Sequence, residues 1–561
     1  MARKILIVGG VAGGASAAAR LRRLDEAAQI IMFERGNHIS FANCGLPYYI
    51  GGAIKSRDDL LLQTPDSFKQ RFNVDVRVAS EVVRIDRTKN EVEVLDLSSG
   101  KKYSEGYSQL VLSPGAEPVQ PPIPGVGSNR VFTLRNVADV DRIAQFISTH
   151  NPRKAVVVGA GYIGSEMTEN LRDRGLSVEL VEMCDQVMPV LDKEMAWFLH
   201  HHLSQRGIAL RLGDGVCSFD QTETSLKVKL SSGTELDCDF AVLGVGVRPE
   251  VKLAREAGLE IGDRGGIKVD EYLRTSDPDI YAIGDAVEVR DFVLGDAVLI
   301  PLAGPANRQG RMAADNISGR NRRYAGTQGT AILKVFDLTV AMTGASEKAL
   351  AKTSIEYEKV YLHPAHHAGY YPGAKQMHVK LLFAKPDGKV LGAQIVGSDG
   401  VDKRIDVLSV AIRAGMTVFD LQELELAYAP PYGSAKDPVN MAGYAAANIL
   451  DGTVKIKHFT ELEENDFVLD VRTPAEFAKG GIPNARNVPL NQLRDKLHEL
   501  PQNRTIHAYC GVGLRSYIAC RILEQNGFDA RNLPGGYTTY RATARTRSQQ
   551  TTQSQVVQDR T

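Results

Sequence analysis

Short apolar runs that stop at glycine recur along this chain, and the first two set its plan. Lys4 to Val8 ends at Gly9. A glycine turn, Gly9 to Gly14, leads into a helical pattern from Ala15 to Leu24, and a second run, Ile30 to Phe33, ends on Glu34. Strand, glycine turn, helix, strand and acid is the order of a dinucleotide-binding βαβ unit. There the turn approaches a pyrophosphate and the acid holds a ribose hydroxyl. The order returns between Lys154 and Glu182: a strand Val156 to Val158, the turn Gly159-Ala-Gly161-Tyr162-Ile163-Gly164, a helix, and Val178 to Val181 ending on Glu182. Two such units predict two dinucleotides.

Between them, Leu60 to Pro122 alternates valine with charged residues and reads as β-strands returning to the first domain. Four prolines in the seven residues Pro118 to Pro124 mark a crossing linker. Thr330 to Leu450 mixes strand and helix patterns, and Asp451-Gly452 marks a boundary. Phe459 to Ala542 is a compact α/β pattern in which the strand Thr505 to Tyr509 feeds a loop at Cys510. Thr543 to Thr561 is Gln, Ser, Thr and Arg with few apolar residues, which predicts a disordered tail.

A chain of 561 residues exceeds one core, so three or four domains are expected. A formal net charge of zero excludes recruitment of nucleic acid or an anionic membrane by bulk electrostatics. No stretch is apolar enough to span a bilayer, and the N-terminal run reads as a strand rather than a signal peptide. Six cysteines in so long a chain are no disulfide framework; they predict reactive thiols in a reducing cytoplasm. Two have a setting. Cys44 lies in Ser40-Phe-Ala-Asn43-Cys44-Gly-Leu-Pro with no second cysteine nearby, and Cys510 opens Cys510-Gly-Val-Gly-Leu-Arg515. Cys184, Cys217, Cys238 and Cys520 read as ordinary thiols, and no pair has metal-ligand spacing, so no metal is expected.

In the second turn Gly159 permits the bend, Gly161 admits the pyrophosphate, and Gly164 allows close packing of helix on strand. The first turn departs from the pattern with Val11 at the middle glycine position. Glu182 repels a 2′-phosphate and no Arg follows it directly, which favours NADH, with NADPH the alternative. The Cys510 loop can form an anion nest at a helix N-terminus, an arrangement that holds a thiolate or persulfide charge. Arg515 is expected to add a fixed charge and orient the loop, and Gly511 and Gly513 suit its tight turns.

Thr275-Ser-Asp-Pro-Asp-Ile-Tyr-Ala-Ile-Gly284-Asp285-Ala286 resembles the second FAD-binding segment of the two-dinucleotide flavoprotein disulfide reductases. Ser113-Pro-Gly115-Ala116 resembles their Ala-Thr-Gly loop, with Pro114 at the threonine position. The resemblance covers residues 1 to about 445 and implies FAD, held by Gly9, Gly10, Val11, Ala12, Gly13, Gly14, Glu34, Arg35, Ser113, Gly115, Gly284 and Asp285. It implies NADH at Gly159, Gly161, Tyr162, Ile163, Gly164, Glu182 and Gly244. The lone Cys44 in its Ser-Phe-Ala-Asn-Cys setting is similar to that of coenzyme A disulfide reductases. The first turn lacks the histidine of the related NADH peroxidases and oxidases, which weakens a peroxide reading. Coenzyme A would then meet Ser40 and Asn43 and, through its phosphates, Arg20, Arg23, Lys69 and Arg71. Tyr370-Tyr371 and Ala429-Pro-Pro-Tyr432 resemble segments in which a partner subunit's tyrosines reach the cysteine site. That implies a homodimer with Tyr371 and Tyr432 as phenols near the leaving thiolate.

The last module resembles rhodaneses through Leu469-Asp-Val-Arg-Thr-Pro-Ala-Glu-Phe477, Gly481-Ile-Pro-Asn-Ala-Arg-Asn-Val-Pro489 and Gly535-Gly-Tyr537, with Gly481 where that family often has histidine. The resemblance makes Cys510 a carrier of sulfane sulfur. The expected fold is α/β: two Rossmann-like dinucleotide-binding domains, an α+β dimerisation domain and a C-terminal α/β rhodanese domain. Expected bounds are 1–120 and 251–325 for the two FAD-binding parts, 121–250 for NAD, 326–450 for dimerisation, 455–542 for rhodanese and 543–561 for the tail. The expected activity is NADH-dependent reduction of a persulfide, polysulfide or coenzyme A disulfide at Cys44, coupled to sulfur carriage on Cys510. The alternatives are a plain coenzyme A disulfide reductase with a regulatory rhodanese domain, and a sulfur-delivery or redox-sensing protein.

Overall fold

The computed structural model describes residues 3–544, in two compact units: 3–185 with 208–329, and 186–207 with 330–544. In the first unit a five-stranded parallel sheet runs in the order Ile280–Ala282, Gln109–Leu112, Lys4–Val8, Gln29–Phe33, Asp75–Arg77. Ile5, Leu6 and Ile7 of its central strand are fully buried. Parallel strands are covered on both faces and so read as unbroken apolar runs, which is why this segment stood out. A second parallel sheet runs Ala209–Leu212, Ser177–Glu182, Lys154–Val158, Phe240–Leu243, Val131–Thr133. Between the two sheets the chain leaves along Ala116–Pro118 and returns along Val247–Pro249, an antiparallel pair. Proline is tolerated on such a two-stranded edge. The Val-rich stretch forms the antiparallel meander Ser80–Asp86, Glu91–Asp96, Lys102–Gly106.

One local expectation is corrected. The first helix is Ala12–Leu24, so it starts three residues before Ala15 and takes in Gly13 and Gly14. Those glycines serve packing rather than turning. A Cβ on Gly14 would overlap the carbonyl of Gly9, and one on Gly13 would lie 2.8 Å from Ser113 Oγ. Gly310 of the helix Ala303–Ile317 meets the same helix face, where its Cβ would overlap the carbonyl of Gly13.

In the second unit a five-stranded antiparallel sheet runs Ala331–Val335, Leu338–Gly344, Val390–Gly397, Met377–Ala384, Tyr357–Leu362, with the helix Val401–Ala414 packed on it. A four-stranded parallel sheet follows, in the order Arg486–Asn487, Phe467–Asp470, Ile506–Tyr509, Ala530–Asn532. The disordered tail expected over 543–561 lies outside the described residues from 545 on. Thr543 and Ala544 are helical, with Thr543 Oγ1 donating to Thr539 O at 2.9 Å.

Lys380 is the centre of this unit's charge. Its side chain is fully buried, and its Nζ lies 2.8 Å from Asp192, 2.5 Å from Glu194 and 2.6 Å from Glu347. The three carboxylates converge as a cation site would, and the ammonium occupies their centre. Tyr361 Oη donates to Glu194 at 2.8 Å, and Lys359 also pairs with Glu347. Burial pushes the Glu194 carboxyl up, but the Lys380 ammonium more than offsets this and holds it at about 2.

Lys380→Met should therefore destabilise this unit by about 3–5 kcal/mol, since it strands buried carboxylates; urea unfolding of the full chain measures it. The sign of the pH dependence follows from Glu194. Its depressed pKa makes its stabilisation complete above its ordinary 4.5, declining with falling pH and gone below about 2. Thermal unfolding between those limits should show that loss in the native protein and less of it in Glu194→Gln.

Candidate active sites

A cleft of about 1470 Å³ opens in the first unit between the glycine turn and the returning strands. Gly9, Val11, Ala12 and Gly13 line it, as do Glu34, Arg35, Ser113, Gly115, Gly284 and Asp285. Gly10 and Gly14 stand behind the wall, packed on Ile39 and on the Gly9 carbonyl. Gly9 is at φ +97°, and a Cβ there would overlap the carbonyl of Ser113, so the two strand ends meet backbone to backbone. Glu34 accepts from the N–H groups of Gly10 at 2.9 Å and Gly36 at 2.8 Å. A carboxylate has about four lone-pair sites, so it keeps capacity for a ribose hydroxyl. Asp285 faces the cleft with no hydrogen-bond partner among the described residues. Burial pushes its pKa up and the Arg135 charge opposes that. Gln309, itself buried, accepts from Gly284 N at 2.7 Å and holds this turn.

The volume exceeds the roughly 300–1,000 Å³ of ordinary small-molecule pockets and suits an extended dinucleotide. A glycine rim, an acid at the second strand end and an acid free to accept hydroxyls fit FAD. Glu250 closes one edge, bonded to Arg35 at 2.6 Å and Arg135 at 3.0 Å. Glu250 and Arg135 carry no local motif and were not found from sequence.

Ser40, Asn43 and Cys44 line the same cleft. Ser40 takes the left-handed conformation at φ +45°, rare for a non-glycine residue, and its N–H bonds Gly10 O at 2.9 Å. Ala42 N bonds Leu60 O at 2.7 Å, so the segment is latched on both sides. Cys44 sits in the 3₁₀ turn Asn43–Gly45 with its side chain exposed on the wall. Desolvation by the cleft walls and the carboxylates of Glu166 and Asp285 push its thiol pKa up. Tyr48 Oη donates to Glu166 at 3.3 Å, and burial raises the Glu166 carboxyl to about 7.

The four cations expected beside coenzyme A lie outside the cleft lining. Arg20 pairs with Asp315 at 2.7 Å, while Arg23, Lys69 and Arg71 are exposed. Arg22, which sequence reading passed over, is buried and donates to the carbonyls of Asp25, Glu26, Ala28, Phe72 and Asn73. It thereby ties the first helix to the end of the helix Pro65–Phe72, which carries Lys69 and Arg71.

At the second glycine turn Gly159 is at φ +95°, and a Cβ on Gly161 would meet nothing within 4 Å. Gly164 packs so closely that its Cβ would overlap Gly159 O, and Gly244 closes the turn from below, its carbonyl 2.5 Å from where a Gly159 Cβ would sit. Tyr162 and Ile163 begin the helix Tyr162–Asp173, and burial raises the Tyr162 phenol to about 12. Glu182 accepts from Ala160 N at 2.7 Å and Cys184 N at 2.8 Å, the same pinning that Glu34 performs in the first copy.

In the second unit Cys510 is fully buried, and its Sγ accepts from Gly513 N at 3.1 Å and Ser516 Oγ at 3.6 Å. The loop is clamped from behind: Tyr537 N bonds Cys510 O at 2.7 Å and Thr538 N bonds Gly511 O at 3.1 Å. A Cβ on Gly536, at φ +59°, would overlap that Cys510 carbonyl. Arg515, expected to add a fixed charge and orient the loop, faces the Cys510 sulfur and is itself held by a carboxylate. Both its terminal nitrogens bond Glu476, at 2.8 and 2.6 Å. Glu476 reads in sequence only as the third residue of a capping box opened by Thr473, which hid its second role. Tyr370, Tyr371 and Tyr432 are exposed on two loops joined by Ala368 N to Gly433 O at 2.9 Å, with Tyr370 Oη 2.8 Å from Tyr428 Oη.

The pyridine nucleotide-disulphide oxidoreductase family profile matches residues 3–310, the dimerisation domain of that family matches 330–438, and the rhodanese-like domain matches 457–543. The coenzyme A disulfide reductase of Staphylococcus haemolyticus (strain JCSC1435) is 40% identical over 448 residues, 80% of this chain and 100% of its own. That of Staphylococcus aureus (strain bovine RF122 / ET3-1) is 38% identical over 444 residues, 79% of this chain and 99% of its own. The crystal structure of reduced Bacillus anthracis CoADR-RHD is similar with a TM-score of 0.95 at 51% identity, covering 97% of this chain and 98% of the other. The NAD-dependent persulfide reductase from A. fulgidus is similar with a TM-score of 0.91 at 37% identity, covering 96% and 100%.

Gly164→Ala forces a side chain against backbone, an overpacking of about 1–3 kcal/mol. The NADH dissociation constant should rise about tenfold or more, with FAD content unchanged. Fluorescence titration and the flavin spectrum measure the two separately.

Proposed function

Because the chain belongs to the pyridine nucleotide-disulphide oxidoreductase family, we propose that it reduces sulfur–sulfur bonds with NADH at Cys44 and carries sulfane sulfur on Cys510. The substrates of the first site are a persulfide, a polysulfide or coenzyme A disulfide. The observation that carries this reading is that Cys44 lines the same cleft as the glycine turn and Asp285. FAD bound in that cleft supplies two-electron transfer between nicotinamide and sulfur. Gly9 and Gly13 let it approach the backbone, Glu34 accepts from its ribose, and Asp285 accepts from its ribityl chain.

The Cys44 thiolate attacks one sulfur of R–S–S–R′, forming Cys44–S–S–R and releasing R′–S⁻. Two electrons from NADH then return Cys44–S⁻ and R–S⁻, so the sum is NADH, a proton and one disulfide giving NAD⁺ and two thiols. Glu182 at the strand end favours NADH over NADPH. Ser40 and Asn43, on the cleft wall, border the thiol end of a coenzyme A substrate, and the exposed Arg23, Lys69 and Arg71 take its phosphates outside the cleft lining, while Arg20 stays on Asp315. The matched dimerisation domain supports a homodimer in which the exposed Tyr371 and Tyr432 of one protomer, with Tyr370 beside them, serve the Cys44 of the other. No disulfide joins the six cysteines, and we place the protein in a reducing cytoplasm. No helix among the described residues is long and apolar enough to cross a membrane.

A plain coenzyme A disulfide reductase is the second reading, favoured by relatives of that name that match only 79–80% of this chain. Anaerobic NADH oxidation separates the two. Coenzyme A persulfide should exceed coenzyme A disulfide about tenfold in kcat/KM, about 1.4 kcal/mol of transition-state stabilisation, and Cys44→Ser should lose both. Preference for the disulfide would transfer the assignment to the second reading.

A further inference from the structure

The Cys510 loop is apolar apart from Arg515, and that cation is paired. Between Cys510 and Arg515 the loop offers only Gly511, Val512, Gly513 and Leu514. Val512, Leu514 and Ile518, one turn along the following helix, are exposed at 36%, 61% and 39%. The loop's one cation, Arg515, lies over Gly511, with its Nη2 3.4 Å from where a Cβ of that residue would sit. It faces the Cys510 sulfur, and Glu476 takes both its terminal nitrogens and matches its charge. The carboxylate is fixed from the other side as well, accepting from Thr473 N at 3.0 Å and Thr473 Oγ1 at 2.9 Å. Four bonds, three of them on Oε2, hold the carboxylate in place. The Arg515 bond, with those from Thr473, holds the Glu476 carboxyl at about 2, and it stays ionised at any working pH. The guanidinium packed on Tyr509 and Tyr537, that of Arg472, is matched in the same way by Asp470 at 2.6 Å.

We propose that the Cys510 site takes sulfur from the persulfide end of an organic thiol and discriminates against inorganic dianions such as thiosulfate, with Glu476 setting that preference by neutralising Arg515. The inference rests on the reading that Cys510 carries sulfane sulfur. In the favoured step the Cys510 thiolate attacks the outer sulfur of R–S–SH. The donor S–S bond breaks, Cys510–S–SH forms and R–S⁻ leaves, with no net gain or loss of electrons. The same displacement on thiosulfate expels sulfite. It must bring a dianion against a thiolate in a loop whose own cation is already matched, and like charges repel most strongly where water is excluded. The exposed Val512 and Leu514 meanwhile offer contact to the carbon chain of an organic donor.

The test is loading of one sulfur atom onto Cys510 in the full-length protein, followed by peptide mass spectrometry with glutathione persulfide or thiosulfate as donor. The native protein should load from the persulfide about tenfold faster or more at equal concentration, a difference of about 1.4 kcal/mol. Glu476→Gln keeps the capping box, which accepts Gln at this position, and frees the Arg515 charge. It should narrow the ratio about tenfold, and added salt should reverse that gain. Val512→Lys places a cation at the mouth without touching the cap and should narrow the ratio in the same direction. Thiosulfate loading as fast as the persulfide in the native protein, or ratios unmoved in both variants, overturns the donor preference and leaves sulfur carriage standing. Failure of both donors to load Cys510 in any of the three proteins, with NADH turnover at Cys44 intact, overturns the carrier reading and the preference with it.

Discussion

Backbone meets backbone at each candidate site, and the sites depend on that contact. A side chain on Gly9 would overlap the carbonyl of Ser113, one on Gly164 the carbonyl of Gly159, and one on Gly536 the carbonyl of Cys510. Only residues without a Cβ allow two chain segments to close to this distance. The close approach sets strand ends beside turns, so that N–H groups and carboxylates can reach a ligand's phosphate and hydroxyl groups. It also fixes the Cys510 loop from behind, leaving its front to a substrate.

Carboxylates do the second half of this work by pinning the turns. Glu34 holds Gly10, Glu182 holds Ala160, and Glu476 holds both Thr473 and Arg515. Each of the first two sits at a strand end and bonds the turn that precedes it in the chain, so one arrangement serves both dinucleotide units.

The two candidate cysteines sit in different fields. Cys44 is exposed on a cleft wall, where Glu166, Asp285 and desolvation oppose its ionisation. Cys510 is buried, receives two donors at sulfur, and lies in a loop whose cation is matched. The polypeptide around Cys44 therefore leaves thiolate stabilisation to what binds in the cleft, whereas the Cys510 loop supplies its own donors.

Much of this was legible in the sequence, and the divide follows physical range. The Rossmann strands, their glycine turns and terminal acids, the Cys44 segment and the Cys510 loop are local patterns, set by side-chain period and by the dihedral freedom of glycine within a few residues. Even there, the early start of the helix at Ala12 was hidden, because Gly13 and Gly14 read as turn residues until the packing against Ser113 and Gly9 is seen. Charge was not legible. Arg20 read as a phosphate ligand and is paired with Asp315, and Arg515 read as a fixed charge that orients the loop, with no sign of the capping glutamate that matches it. Nothing in the sequence around Lys380 marks the three carboxylates, Asp192, Glu194 and Glu347, that close around it. The sequence alone determined where the glycine turns and the candidate cysteine segments occur, since backbone geometry is local. Tertiary structure decided which charges remain available, since Coulomb partners are chosen by distance in space and those residues lie far apart along the chain.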